Sequence, residues 1–177
     1  MKVAVPQLFS TSRAEAVVVR FPPLFYPVVM VAALAVQAYL PVLVHAAVYL
    51  DLPLLVVIYY ACAVRRPIPA SLLGAVLGLV QDSLAHLALG VNGIAKTLIA
   101  YAGASFGAKM DADHPGIRMV AVFAGYLASR AILYFFERFL LGTPVPWRAE
   151  ATLLAALVNA LLALALFRLL DRFRRWI

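Results

Sequence analysis

The feature that most constrains the fold is a series of six apolar stretches, each interrupted by proline, glycine or charge before the next begins. Each stretch is close to the roughly 20 residues that a helix needs to cross a bilayer. Hydrophobic residues make up 66% of the chain and charged residues 13%, whereas ordinary soluble domains are about 45–50% apolar and about 25% charged. In lipid, an open chain satisfies its backbone hydrogen bonds only as helices. The sequence therefore predicts an all-α polytopic membrane protein.

The pattern predicts two regions: a cytoplasmic amino-terminal arm at residues 1–23, and a six-helix transmembrane domain with a basic cytoplasmic tail at residues 24–177. The helices are predicted at residues 24–44, 52–64, 68–85, 93–109, 117–141 and 149–169. The second helix has an N-cap residue in Asp51 and a proline in its first turn at Pro53. At about 13 residues, or roughly 20 Å, it is too short to cross the membrane unaided. It must thin the bilayer or be shielded by its neighbours or by a partner protein.

The positions of lysine and arginine predict the orientation of the helices. In a six-helix arrangement, eleven of the fifteen basic residues fall on one side: Lys2, Arg13, Arg20, Arg65, Arg66, Lys109, Arg118, Arg168, Arg172, Arg174 and Arg175. By the positive-inside rule, both termini are predicted to be cytoplasmic. The net charge of +7 then reflects orientation and contact with anionic lipid headgroups rather than nucleic-acid binding.

Two pairs of glycines are spaced for close helix packing. Gly74 and Gly78 share one face of the third helix with Asp82, and the fourth helix carries Gly103 and Gly107. Small residues at this spacing let two helix backbones approach closely in lipid. The third and fourth helices could pack against each other through these faces, or the faces could receive a partner's transmembrane helix. We adopt the second role as the hypothesis, under which leucine at positions 74 and 78 would weaken partner binding without preventing membrane insertion.

Several ionisable residues are predicted near the outer side of the membrane. This polar cluster comprises Asp82, His86, Lys96, Arg130 and Glu137. Charged side chains at such depth are costly and normally face protein or water and have a partner. The cluster could be a structural lattice in which Asp82 pairs with Lys96 or Arg130, a ligand pocket, or a contact with a partner's helix. For Asp82 we expect a mainly structural role.

Motifs of catalysis are missing from the sequence. It contains no G-x-S-x-G, no H-E-x-x-H and no phosphate-binding G-x-x-x-x-G-K-[ST]. The loop residues Asp111, Asp113 and His114 could in principle bind a hard cation, but a solvated turn is the simpler interpretation. We therefore expect no enzymatic activity, no cofactor and no metal site.

The order of these features resembles a known family. A lone glutamine, Gln37, lies on the first helix, and Asp51-Leu52-Pro53 begins the second. Then come G-x-x-x-G-x-x-x-D at Gly74, Gly78 and Asp82, a glycine before the fourth helix at Gly90, and Gly103 with Gly107 at its exit. Over about residues 25–170 this pattern resembles the bacterial rod-shape-determining MreD family.

The resemblance implies a non-enzymatic scaffold of the cell-elongation and peptidoglycan-synthesis machinery in the bacterial inner membrane. The implied partners are the transmembrane segment of MreC, RodA with its class B penicillin-binding protein, either directly or through MreC, and the MreB filament at the cytoplasmic face. The family is also similar in fold to the substrate-binding components of energy-coupling-factor transporters. The alternative function is therefore a solute-binding subunit of such a transporter, although the short loop between the third and fourth helices leaves little room for a lid.

Overall fold

The computed structural model describes residues 19–20, 25–85, 88–110, 114–142, 146–173 and 175–176. Within these residues the protein is a bundle of six α-helices: α1 (Phe25–Leu43), α2 (Leu52–Val64), α3 (Pro67–Leu84), α4 (Val91–Gly107), α5 (Pro115–Phe135) and α6 (Ala149–Asp171). A 3₁₀ segment, His45–Tyr49, precedes α2, and a π-helical segment, Phe136–Leu140, extends α5. The six predicted helices are confirmed, with their ends displaced by a few residues at most.

Two short strands, β1 (Val19–Arg20) and β2 (Arg175–Trp176), pair in antiparallel fashion, with Val19 opposite Trp176. The pairing joins the chain before α1 to the chain after α6. We call this end of the bundle the terminal end, and the opposite end the far end. Residues 1–18 and 21–24 lie outside the described residues, so the amino-terminal arm stays a prediction.

Among the residues that the structure describes, five segments are long and apolar enough to cross a membrane, which is consistent with a multi-pass membrane protein. They are Phe25–Leu43, Ala47–Val64, Pro67–Leu84, Pro115–Leu140 and Ala149–Asp171. The second of these combines most of the 3₁₀ segment with α2, so the apolar span is longer than the α-helix alone.

Helix α2 is the centre of the bundle. It contacts α1, α3, α4, α5 and α6, and Leu54, Leu55 and Val57 are completely buried. The helix begins as predicted, because the Asp51 carboxylate accepts a hydrogen bond from the Leu54 amide at 3.0 Å. It ends at Arg65, whose left-handed backbone (φ 56°) stops the helix. The neighbours within the chain therefore enclose this short helix, and its length is no sign of a missing partner.

The outer helices form an incomplete ring around α2. Helices α3 and α4 pack most closely, followed by α5 and α6, and α4 also contacts α5. By contrast, α1 packs mainly on α2 and only slightly on α3. It is also the least buried of the five long apolar segments. The ring is therefore open on both sides of α1.

Candidate functional site

Asp82 is completely buried and caps the start of α4. Its carboxylate accepts hydrogen bonds from the backbone amides of Gly90 (2.9 Å), Asn92 (3.1 Å) and Gly93 (3.4 Å), and from the Asn92 side-chain amide (2.8 Å). Free amides at a helix start carry partial positive charge and stabilise an anion. This explains how a carboxylate is tolerated here. The expected pairing of Asp82 with Lys96 or Arg130 is wrong, since backbone and amide donors occupy its oxygens.

The close approach of α3 and α4 depends on Gly74 and Gly78. A methyl group added to Gly74 would lie 2.5 Å from the carbonyl oxygen of Lys96, and one added to Gly78 would lie 2.5 Å from that of Asn92. This face is filled by α4 of the same chain. It cannot receive a partner's helix unless α4 is displaced. The hypothesis that Gly74 and Gly78 bind a partner's helix is therefore wrong, and the structure instead has the other role considered, the packing of α3 against α4.

Lys96 is also completely buried, and its ammonium group joins α4 to α2. It donates to the Asp51 carboxylate at 2.9 Å and to the side-chain oxygen of Asn92 at 3.4 Å. Asp51 therefore has two roles, as the N-cap of α2 and as the counter-ion of Lys96. The Asp51 side chain is 15% exposed, so the pair lies at the edge of the interior.

The hydrogen bonds continue from Asp51 to α6 and α5. The Asp51 amide donates to the side-chain oxygen of Asn159 at 3.0 Å. The Asn159 amide group and the Tyr126 hydroxyl both donate to the carbonyl oxygen of Tyr49, each at 2.9 Å. On the other side, the Gln37 side chain bonds both to the Leu50 carbonyl and to the Leu52 amide, which attaches α1.

These contacts form one row of polar groups across the far end, which we call the far-end network. Its members are Gln37, Tyr49, Asp51, Asp82, Asn92, Lys96, Tyr126 and Asn159. Every helix except α2 contributes a side chain, and α2 contributes its N-cap. Buried polar groups that are fully satisfied specify a single arrangement of neighbours. The network therefore fixes the helices relative to one another at this end.

Arg130 and Glu137 lie beside the network rather than inside it. They line a cavity of about 120 Å³ between α5 and the start of α6, together with Tyr126, Trp147 and Arg148. We call this the far-end cavity. The Tyr134 and Trp147 rings meet edge to face in its wall, 5.1 Å apart. Of the predicted polar cluster, the structure thus links Asp82 to Lys96 through Asn92 and places Arg130 and Glu137 in a separate cleft. His86 lies outside the described residues.

A partly buried contact joins the helices at the terminal end. Arg118 of α5 forms an ion pair with Asp171 at the end of α6, and the Tyr59 hydroxyl of α2 donates to the same carboxylate at 3.0 Å. The Arg118 guanidinium also lies over the Phe167 ring, 5.7 Å from its centre. This contact ties α2, α5 and α6 together where the chain ends meet.

An apolar groove of about 610 Å³ lies between α1 and α6. We call it the α1/α6 groove. Its α1 side is a single stripe of residues: Phe25, Val28, Val29, Ala32, Ala33 and Val36. Its other walls are Leu52 and Val56 of α2 and Leu166, Leu169, Leu170 and Phe173 at the end of α6. The rings of Phe25 and Phe173 meet at the terminal end, with their centres 5.7 Å apart.

Gly103 and Gly107 of α4 both lie against α2, Gly107 closely and Gly103 more loosely. A methyl group on Gly107 would lie 3.0 Å from the Cα of Cys62, whereas one on Gly103 would meet only the Ala61 side chain at 3.3 Å. Gly103 also borders a smaller groove of about 290 Å³ between α4 and α5. Gly107 is thus an internal packing residue, and Gly103 is partly accessible.

Within the part of the chain that the structure describes, no group of three histidine, cysteine or acidic side chains could hold a metal ion. Asp111 and Asp113 lie outside that part, and the His114 ring caps α5 by accepting a hydrogen bond from the Gly116 amide at 3.2 Å.

No protein-family model, no curated protein and no solved structure matches this chain. The resemblance to the MreD family therefore stays a prediction.

Sequence analysis missed Asn92 and Asn159. Asn159 carried a signal, because it is an amide in a largely apolar predicted helix and such amides in lipid bond across helices. Asn92 did not, because the fourth helix was predicted to begin at residue 93. Sequence analysis also missed the Arg118–Asp171 pair. Nothing in the spacing of these two residues indicates a contact, because they are 53 positions apart.

Proposed function

We propose that this protein is a non-enzymatic scaffold in the bacterial cytoplasmic membrane that holds the single transmembrane helix of a partner in the α1/α6 groove. The resemblance of the sequence to the MreD family supplies the identity of the partner, MreC, and the setting, the cell-elongation machinery. In this proposal all six helices span the membrane and both termini are cytoplasmic. The pairing of β1 with β2 supports a common side for the two termini, because it joins the chain before α1 to the chain after α6.

The observation that carries the proposal is the incomplete ring at α1. The groove between α1 and α6 is lined entirely by apolar side chains. Water does not drive helices together in lipid, so association depends on close van der Waals contact. A groove with alanines in one wall, Ala32 and Ala33, lets another helix backbone approach closely. A helix seated there would contact both α1 and α6 and close the ring.

The shape of the groove favours a helix over a compact solute. Its stripe on α1 runs from Phe25 to Val36, about 16 Å along the helix axis. Residues along the stripe recur at intervals of three and four, which is the pattern that one helix presents to another. Outside the groove, α1 exposes Val31 and Tyr39 on its other faces, as expected for a lipid-facing helix.

The alternative, a solute-binding transporter subunit, would need a chamber of at least about 300 Å³ with convergent polar groups. The far-end cavity has polar groups but a volume of only about 120 Å³. Asp82, at the centre of the predicted cluster, is enclosed by its own hydrogen-bond donors. We therefore favour the scaffold.

The proposal is tested by co-purification with a full-length MreC protein. Ala32→Trp would fill the groove. Ala35→Trp is the matched control, since Ala35 is exposed on the same helix and lines neither the α1/α6 groove nor the cavity between α1 and α3 that Leu34 and Gln81 border. We expect Ala32→Trp to reduce the recovered partner at least about tenfold and Ala35→Trp to leave it near the wild-type level. Equal recovery with both variants would reject the groove as the binding surface. No recovery with the wild-type protein would reject the partner.

A further inference from the structure

The far-end cavity contains an arginine, Arg130, that forms no ion pair with any residue that the structure describes. Arg130 is exposed to the cavity, and among the described residues its guanidinium has no hydrogen bond or ion pair. It lies within the apolar segment Pro115–Leu140, one helical turn before Tyr134. A charged side chain within such a segment normally pairs with a charge or marks a ligand site.

A second arginine lines the same cavity. Arg148 is the residue before α6, and its guanidinium, which has only hydrogen-bond donors, cannot cap the amides of that helix. The first amides of α6 add partial positive charge nearby. Two guanidinium groups with a helix start beside them suit an anion with several oxygens, because each guanidinium donates paired hydrogen bonds to oxygens of a phosphate.

The remaining lining restricts the anion further. Glu137 lies in the cavity wall. The group attached to the anion must therefore be one that can lie beside a carboxylate, such as a hydroxyl or an ammonium group. The edge-to-face rings of Tyr134 and Trp147 supply an amphipathic wall typical of headgroup depth. A volume of about 120 Å³ holds one such group and leaves the rest of the ligand outside.

We propose that the far-end cavity binds a phosphate group that carries a hydroxyl or ammonium substituent, with Arg130 and Arg148 as its ligands. The phosphate belongs either to a membrane-lipid headgroup or to a phosphate that enters from solution. The site shares no residue with the α1/α6 groove, so it stands or fails independently of the partner helix.

The test uses the full chain purified in a neutral detergent, with two probes titrated separately: short-chain phosphatidylglycerol and inorganic phosphate. Binding is followed by the broadening of each probe's phosphorus NMR line. Arg130→Gln removes a ligand, and Arg138→Gln is the matched control, because Arg138 is an exposed arginine two helical turns further along that does not line the cavity.

We expect affinity to fall at least about tenfold in Arg130→Gln, the loss typical of one charge-assisted contact, and to be unchanged in Arg138→Gln. If only the lipid binds, the source is a headgroup; if inorganic phosphate binds and competes with the lipid, the site also takes free phosphate. Absence of binding for both probes, or an equal loss in both variants, would overturn the proposal. Should Arg130→Gln fail to fold, Arg148→Gln serves as the second ligand variant under the same criteria.

Discussion

Lys96 donates a hydrogen bond of 2.9 Å to the carboxylate of Asp51, and this contact joins α4 to the N-cap residue of α2. The ammonium group is completely buried, whereas the carboxylate retains slight exposure. The central helix of the bundle is thus held at its start by a charge from a neighbouring helix. A buried pair of this kind fixes geometry strongly but is costly to break on one side.

Lys96→Met is therefore expected to lower the free energy of unfolding by about 3 kcal/mol, because it leaves Asp51 without its counter-ion. Asp51→Asn, which keeps an N-cap residue for α2, leaves the ammonium group unpaired and is expected to cost a similar amount. The double variant should cost clearly less than the sum of the two. The measurement is unfolding by sodium dodecyl sulfate in mixed micelles. Strict additivity of the two effects would show that the pair is not coupled.

Asp82→Asn replaces an acceptor oxygen by an amide donor among the donors at the start of α4. We expect a loss of about 2 kcal/mol in stability and lower abundance in membranes, since a charge-assisted hydrogen bond typically contributes about 1.5–3 kcal/mol. Ser83→Ala is the control, because Ser83 is exposed and its hydroxyl bonds only to its own helix at Leu79. Partner binding per folded molecule should not change. A normally abundant Asp82→Asn protein with impaired partner binding would contradict a structural role.

Gly78→Ala tests the internal packing of α3 on α4. The added methyl group would meet backbone atoms of Asn92 and Gly93 at 2.5–2.6 Å, so the helices must separate. We expect a cost of about 1–3 kcal/mol, as for overpacked cores. Gly103→Ala, whose methyl group meets only a side chain at 3.3 Å, should be nearly neutral. A stable Gly78→Ala protein that no longer binds its partner would restore the intermolecular interpretation of this face.

The sequence was sufficient for the positions of the helices. Asp51 and Pro53 define the start of α2, and Arg65 with Pro67 defines its end, because capping and proline act locally. The central position of α2 was not predicted, although the sequence carries a signal for it: the segment LPLLVVIYYACAV is apolar on all sides, as expected for a helix enclosed by others.

The partners of each side chain could not be predicted in the same way. Gly74 and Gly78 define a face, but only the packing of the bundle decides whether α4 or another molecule covers it. Asp82 and Lys96 were predicted at similar depth, yet they do not pair with each other. The amides at the start of α4 stabilise the Asp82 carboxylate as well as a cation would, and Lys96 pairs with Asp51. The α1/α6 groove exists because α1 packs mainly on α2 and leaves a gap beside α6. Hydropathy gives no information on which helices pack against one another.

We propose that a partner's transmembrane helix occupies the α1/α6 groove. The most direct measurement is site-specific photocross-linking in membranes, with a photoreactive amino acid at position 32 or at position 35 of α1 and a full-length MreC protein expressed with it. We expect a cross-linked product from position 32, inside the groove, and little or none from position 35 on the lipid-facing side. Equal cross-linking from both positions, or a product from position 35 alone, would contradict the account.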